Sequence, residues 1–291
     1  MIYAVLAYML WGLFPAFFPL LAPAAPTEII AHRIVWTGVL MVGVVTASKS
    51  WSALRGLSVR TWARLGLASA LIALNWLIYV IAVNSGHVAD AALGYFINPL
   101  VNVVLGIAFL GERMRLTQSV SVLLAVVAVV VLTVFAGQPP IMALGLALSF
   151  GFYGLIKKKV ELPATVSLTA ETVLLIPFAL GYLVYLEWTG EATFGHAGTG
   201  NALLLVATGV VTAVPLLLFG MGARLIPLST VGMLQYMTPT MQMLWAVYVV
   251  DEVIEPVRWV GFTIIWVAVA LYMWDVLRHH RQRGVEEKTA H

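Results

Sequence analysis

Tyr95, Asn98 and Asn102 recur at i, i+3 and i+7, so a helix through them carries three hydrogen-bonding side chains on one face. Gln235, Thr238 and Gln242 repeat that spacing later in the chain, and each stripe contains a proline, Pro99 or Pro239. A proline inside a helix removes a backbone donor and crowds the carbonyl four residues back, which kinks the helix and frees carbonyls. Two kinked helices with facing polar stripes would make a binding cavity for a small solute, with Pro99 and Pro239 as hinges. The alternative is that these side chains are hydrogen-bond glue between helices. Asn75 and Tyr79, at i and i+4, and Tyr236 beside Gln235 are further candidates for the same cavity.

The elements that must position these residues are membrane spans. Hydrophobic residues make up 62% of the 291 positions and charged residues 10%, against about 25% charged in a soluble domain. Mean hydropathy is +0.97. Runs such as Val120 to Val134 are continuously apolar and do not alternate as barrel strands would. In lipid the backbone must satisfy itself, so these runs are helices. The pattern predicts an all-α integral membrane protein of ten spans: Tyr3–Leu21, Glu28–Ala47, Thr61–Val83, Val88–Leu110, Thr117–Ala136, Pro139–Ile156, Ala164–Leu186, Asn201–Ala223, Pro227–Val250 and Val257–Leu277. Ala22-Pro23-Ala24 mimics a signal-peptide cleavage site, but no basic residue precedes the first run, so that run is expected to stay as a helix.

Ionisable groups inside spans are costly and are functional candidates by default. Glu28 and His32 are i, i+4 neighbours on the second span, and Arg33 points to an adjoining face. Glu28 reads as a helix cap at the external surface. Arg33 has two readings: snorkelling to the outer headgroups, or a cation for a carboxylate or polar solute. Glu171 is the sole acid deep in the seventh span. It and His32 could load and release a proton between two facing states, or could form a satisfied structural pair with each other or with Arg33. Trp11, Phe14, Phe150 and Tyr153 are aromatic wall or packing residues.

Charge distribution predicts which way the chain faces. With the N-terminus inside, all but two of the 16 Lys and Arg fall in cytoplasmic segments, including Lys49, Arg113, Arg115, Lys157, Lys158, Lys159, Arg224 and the tail from Arg278. The exceptions are Arg33 and Arg258. The outer loops carry Asp90, Glu187, Glu191, Asp251, Glu252 and Glu255. The positive-inside rule then puts both termini in the cytoplasm. The basic pI therefore reflects topology and not nucleic-acid binding.

An internal repeat is visible. The offset that carries Pro99 onto Pro239 also carries Glu112 onto Glu252, Asn75 onto Pro215 and Tyr79 onto Phe219. An offset one residue shorter carries Trp11-Gly12 onto Phe150-Gly151. The chain reads as two five-helix units, 1–137 and 138–277, followed by a basic cytoplasmic tail, 278–291. Five is odd, so the units are inverted in the membrane, as in many secondary transporters. Glu112 and Glu252 sit at helix ends and read as structural.

The segments Trp11-Gly12, Glu28–Arg33, Asn75-Trp76, Ala82-Val83-Asn84, Leu93–Asn102, Phe109–Arg113, Gly151–Gly154, Gln235-Tyr236 and Pro239-Thr240 together resemble the RarD-type branch of the EamA family, in the drug/metabolite transporter superfamily. The resemblance covers nearly the whole chain; one departure is that the chain begins almost at its first span, without the short polar leader such proteins often carry. It implies an exporter of the cell (inner) membrane. Proteins of this branch are commonly labelled chloramphenicol-sensitivity or permease proteins, and the wider family moves amino acids and other small metabolites.

No phosphate-binding Gly-rich loop, hydrolase nucleophile motif or metal-ligand cluster is present, and the chain has no cysteine. The expectation is a transporter that is not an enzyme and carries no cofactor or metal. Its partners would be a small-molecule substrate, the lipid bilayer and protons. A gradient-independent facilitator, a channel and a non-transporting receptor or scaffold are the alternatives.

Overall fold

The computed structural model describes residues 1–84, 88–136, 141–251, 253 and 256–289, and among them there is no strand. The helices are α1 (Ile2–Gly12), α2 (Phe14–Phe17), α3 (Pro26–Ala47), α4 (Val59–Asn84), α5 (Val88–Leu110), α6 (Leu116–Ala136), α7 (Ile141–Lys159), α8 (Ala164–Thr189), α9 (Thr199–Leu225), α10 (Leu228–Gln235), α11 (Met237–Tyr248) and α12 (Pro256–Thr289). Short 3-10 turns cover Phe18–Leu21 and Ser50–Ala53. Among the described residues, nine helical stretches are long and apolar enough to cross a membrane. The expected junction at Gly137–Pro139 and the acids Glu252 and Glu255 lie outside the described residues, as do the side chains of Asp90, Arg281, Arg283 and Lys288.

Two expected spans are interrupted, each at proline. The first breaks into α1, α2 and a 3-10 turn around Pro15 and Pro19. Pro15 cannot donate to the carbonyl of Trp11, four residues back, and the Gln242 side-chain amide donates to that carbonyl instead, at 3.3 Å. The ninth expected span divides at Tyr236 into α10 and α11, three residues before Pro239. There the Tyr236 carbonyl accepts both the backbone N–H of Thr240 at 3.2 Å and its hydroxyl at 2.7 Å. Pro99, by contrast, lies within the unbroken α5. At the far end, α12 continues as helix to Thr289, through most of the expected tail.

Helix α3 packs on α8 and α9, α4 on α7 and α8, α5 on α7 and α10, α6 on α12, and α1 on α9 and α11. The largest buried cluster joins Tyr8, Tyr153 and Phe219 with Leu105, Leu168 and Leu216. Tyr153 stacks on Phe219 at 6.0 Å, and Trp11 meets Phe150 edge-on at 5.8 Å. Close approach of α5 to α10 depends on Gly232: a Cβ there would lie 2.6 Å from the Pro99 carbonyl and 2.9 Å from the Asn102 Cβ.

Candidate functional site

A cavity of about 10 Å³ lies among α3, α4, α7, α8 and α9, with Arg33, Thr37, Trp76, Tyr153, Glu171 and Thr172 among its lining residues. That is near the lower limit for one water molecule. Two of the deep ionisable groups singled out in the sequence, Arg33 and Glu171, thus share one cavity, and their surroundings differ completely.

Arg33 projects from α3 into an aromatic cage. Its guanidinium carbon lies 4.6 Å from the Trp76 ring centroid, 5.4 Å from Phe18 and 5.8 Å from Phe14. Its Nε donates to the Thr212 hydroxyl on α9 at 2.9 Å. The two terminal guanidinium nitrogens make no hydrogen bond, and no carboxylate lies within ion-pair distance among the described residues. The Tyr79 and Tyr95 phenols lie within electrostatic reach, with their rings 6.2 Å apart. Phe14, read in the sequence as wall or filler, therefore belongs to the Arg33 cage, while Trp11, Phe150 and Tyr153 belong to the central aromatic cluster.

Glu171 on α8 is saturated. Its Oε1 takes the Lys157 ammonium at 2.7 Å and the Ser167 hydroxyl, one turn earlier, at 2.6 Å. Its Oε2 accepts from the Tyr153 hydroxyl at 3.2 Å. Lys157 donates also to Ser167, at 2.8 Å. Glu171 and Lys157 are 2% and 4% exposed, so this is a buried ion pair. Lys157 was read in the sequence as a cytoplasmic topology residue, because it opens a run of three lysines at a helix end. The missed signal is position: it is the innermost of the three and can reach back along α7 into the bundle.

His32 does not join Arg33 or Glu171. Its Nδ1 accepts the Trp36 indole N–H at 3.2 Å, so the neutral ring carries its proton on Nε2. That nitrogen is buried without a hydrogen bond, 3.9 Å from Glu28 Oε1. The ring lies against Phe194 at 4.7 Å, tilted by 35°. Glu28 is fully buried and does not cap its own helix. Its carboxylate accepts the backbone N–H of Thr193 at 2.7 Å, that of Phe194 at 3.2 Å and the Thr193 hydroxyl at 2.9 Å, so it pins the α8–α9 loop.

A comparable clamp holds the opposite end. Glu112 accepts the backbone N–H of Leu228 and of Ser229 (3.0 Å) and the Ser229 hydroxyl (2.7 Å), at the start of α10. An anion is favoured there because the first amides of a helix lack partners and carry partial positive charge. Lys158 donates to the carbonyls of Ala223, in the last turn of α9, and Ile226, just after it. Arg115 pairs with Asp275, joining the α5–α6 segment to α12.

The two polar stripes meet at one point. Asn102 Nδ2 donates to Gln235 Oε1 at 3.2 Å, linking α5 to α10. The Oδ1 atoms of Asn98 and Asn102 are buried without partners. Thr238 and Gln242 turn away and bind the Tyr8 and Trp11 carbonyls of α1. Tyr236 donates to the Phe96 carbonyl at 3.1 Å. Asn75 donates to the Leu146 carbonyl and the Ser149 hydroxyl, at 2.9 and 3.0 Å, which ties α4 to α7. None of the stripe residues lines the Arg33–Glu171 cavity, since Gly232 lets α5 and α10 close directly on each other.

A multi-pass bundle with charged side chains held in its interior is the architecture of an α-helical membrane transporter. The EamA-like transporter family matches residues 1–134 and 139–274. Protein RarD of Streptomyces exfoliatus is 47% identical over 285 residues, 97% of this chain and 90% of that protein. Protein RarD of Escherichia coli (strain K12) is 41% identical over 282 residues, 96% of this chain and 95% of that protein. A solved crystal structure shares the fold, with a TM-score of 0.74 over 93% of this chain and 96% of that chain at 17% identity. The chain belongs to the EamA-like transporter family.

Proposed function

We propose that the protein is a secondary active transporter that exports a small metabolite or drug, such as an amino acid or chloramphenicol, by proton-coupled alternating access. The observation that carries this reading is the Arg33–Glu171 cavity, held within the bundle while both ends are clamped. A space of about 10 Å³ is too small for such a solute, so loading requires one clamp to open. Glu28 with the α8–α9 loop and Glu112 with α10 are the corresponding latches.

The moving parts are two inverted five-helix halves, 1–137 and 138–277, with ten spans once α10 and α11 are counted as one broken crossing. The helix pairing supports this. A two-fold relation that exchanges the first and sixth spans, and the third and eighth, turns the α1–α9 contact into the α7–α4 contact, and both are present. It returns α3–α8 and α6–α12 to themselves. Pro99 and Pro239 are the hinge positions, and Asn98, Asn102 and Gln235 reach the solute when the α5–α10 contact parts. Both termini face the cytoplasm across the cell membrane. Lys158 and Arg224 support this, since they gather at the same end of the bundle as Glu112.

Proton coupling is assigned to Glu171, with His32 as a second proton carrier behind the Glu28 latch. Protonating Glu171 removes the charge that holds Lys157, which frees α7 from α8. One relative, 28% identical, is named a chloramphenicol-sensitive protein RarD, and this is the basis for including chloramphenicol as cargo.

The test is flux of labelled chloramphenicol and a panel of amino acids in proteoliposomes under an imposed pH gradient. Saturable flux that collapses with a protonophore is expected. Absence of flux for every solute overturns this cargo assignment. A gradient-independent facilitator is the second reading, favoured by the saturation of Glu171: a carboxylate with all these partners is also what a purely structural ion pair would show.

A further inference from the structure

We propose that Arg33 is the anion-binding pole of the solute site and that the solute is an amphipathic organic monoanion, a single carboxylate on an aromatic or apolar body. This rests on the transporter reading above and narrows its cargo, since an amphipathic acid replaces the zwitterionic amino acid and the neutral drug given there as examples.

The charged groups around the cavity are Arg33, Glu171 and Lys157. Lys157 neutralises Glu171 at 2.7 Å. Glu28 faces the Thr193 and Phe194 amides. Tyr79, Tyr95 and Tyr153 are phenols and His32 is a neutral ring at its Trp36 contact. Among the described residues, Arg33 is left as one positive charge with no counter-charge, within a span. Such a group is costly in an apolar medium unless an anion arrives.

Thr212 fixes Nε at 2.9 Å and Trp76 lies 4.6 Å from the guanidinium, which orients the plane of the fork. The two free terminal nitrogens are the donors that bind a planar carboxylate in bidentate fashion. Phe14, Phe18 and Trp76 surround that fork with aromatic surface, which suits an apolar body attached to the carboxylate. A zwitterion is disfavoured, because its ammonium would need a carboxylate and Glu171 is already occupied by Lys157 and Ser167.

The experiment measures ligand binding to the full chain in lipid-free maltoside micelles, through tryptophan emission. The probes are hydrocinnamate, hexanoate, hydrocinnamamide and L-phenylalanine. Hydrocinnamate should bind saturably, and its amide and phenylalanine about tenfold or more weakly, the worth of a charge-assisted fork. Arg33→Gln should abolish the preference for acid over amide, and Arg33→Lys should restore part of it. Thr212→Val, which keeps the charge but frees Nε, should weaken hydrocinnamate without reversing the preference, and serves if Arg33→Gln does not fold. Equal binding of acid and amide, an unchanged preference in Arg33→Gln, or no binding of either acid overturns the proposal. Adding phosphatidylglycerol to the micelles separates the two sources of anion: loss of hydrocinnamate binding overturns the solute assignment in favour of a lipid phosphate, and unchanged binding supports a solute site. Carboxylate binding without flux would sink the transporter reading alone, whereas flux without carboxylate preference would sink this proposal alone.

Discussion

Arg33 and Glu171 border the same cavity, yet among the described residues one has no counter-charge and the other has three partners. Burying an ion is tolerable when its pairing is complete, and removing one member of a complete pair leaves the other stranded. Glu171 with Lys157 is a complete buried pair that holds α7 to α8, and the proposed function has a proton release it. Arg33 lacks such a partner among the described residues, and the proposed solute site has a ligand supply it. The difference teaches that depth in the membrane alone does not assign a role; the partner inventory does.

The sharpest way to break this contrast is to delete one partner on each side. Lys157→Met strands Glu171, and stability should fall by about 3–5 kcal/mol, measured by thermal unfolding in detergent. The double variant Lys157→Met/Glu171→Leu should recover most of that loss. Arg33→Met should change stability by about 1 kcal/mol or less, because losing the Thr212 hydrogen bond and the aromatic contacts is offset by removing an unpaired charge. Equal losses at both sites would erase the distinction.

Weaker effects sharpen the picture of the surrounding frame. Glu28→Ala removes the acceptor for the Thr193 and Phe194 amides. It should cost about 1.5–3 kcal/mol in local stability, seen as lost hydrogen-exchange protection of those two amides with little change around Glu112. Gly232→Ala forces a methyl against the Pro99 carbonyl and should destabilise by about 1–3 kcal/mol, read from the unfolding midpoint. Asn75→Ala should cost about 1 kcal/mol, with substrate affinity unchanged if its amide serves only to tie α4 to α7.

Much of the fold is legible in the sequence because apolar length and charge islands are local properties. The expected spans Glu28–Ala47 and Val88–Leu110 differ from α3 and α5 by two residues at most. The interruption near Pro15 was not legible, and of the two prolines expected to kink their helices only Pro239 lies beside a break, because whether a proline kinks or breaks a helix depends on what replaces the lost bond. Pro99 sits in a continuous helix, whereas the break near Pro15 is accompanied by a side chain, Gln242, from the other end of the chain. Asn102 meets Gln235, one residue from each of the two polar stripes that the spacing marks out. The Arg33 cage was hidden for a different reason: Phe14, Phe18, Trp76 and Thr212 come from segments far apart in sequence, and no spacing rule joins them. Lys157 was hidden by its neighbours, since a run of lysines at a helix end is a topology signal whatever its first member touches.

The most direct test is one flux series in proteoliposomes, comparing wild type, Arg33→Gln and the pair Glu171→Gln/Lys157→Met across imposed pH gradients. The account predicts that Arg33→Gln raises KM for the transported solute and keeps gradient dependence. It predicts that the Glu171–Lys157 double variant keeps KM and loses gradient dependence. If the two variants move the same parameter, or if the double variant still follows the gradient, the division of labour between the unpaired cation and the paired carboxylate is wrong.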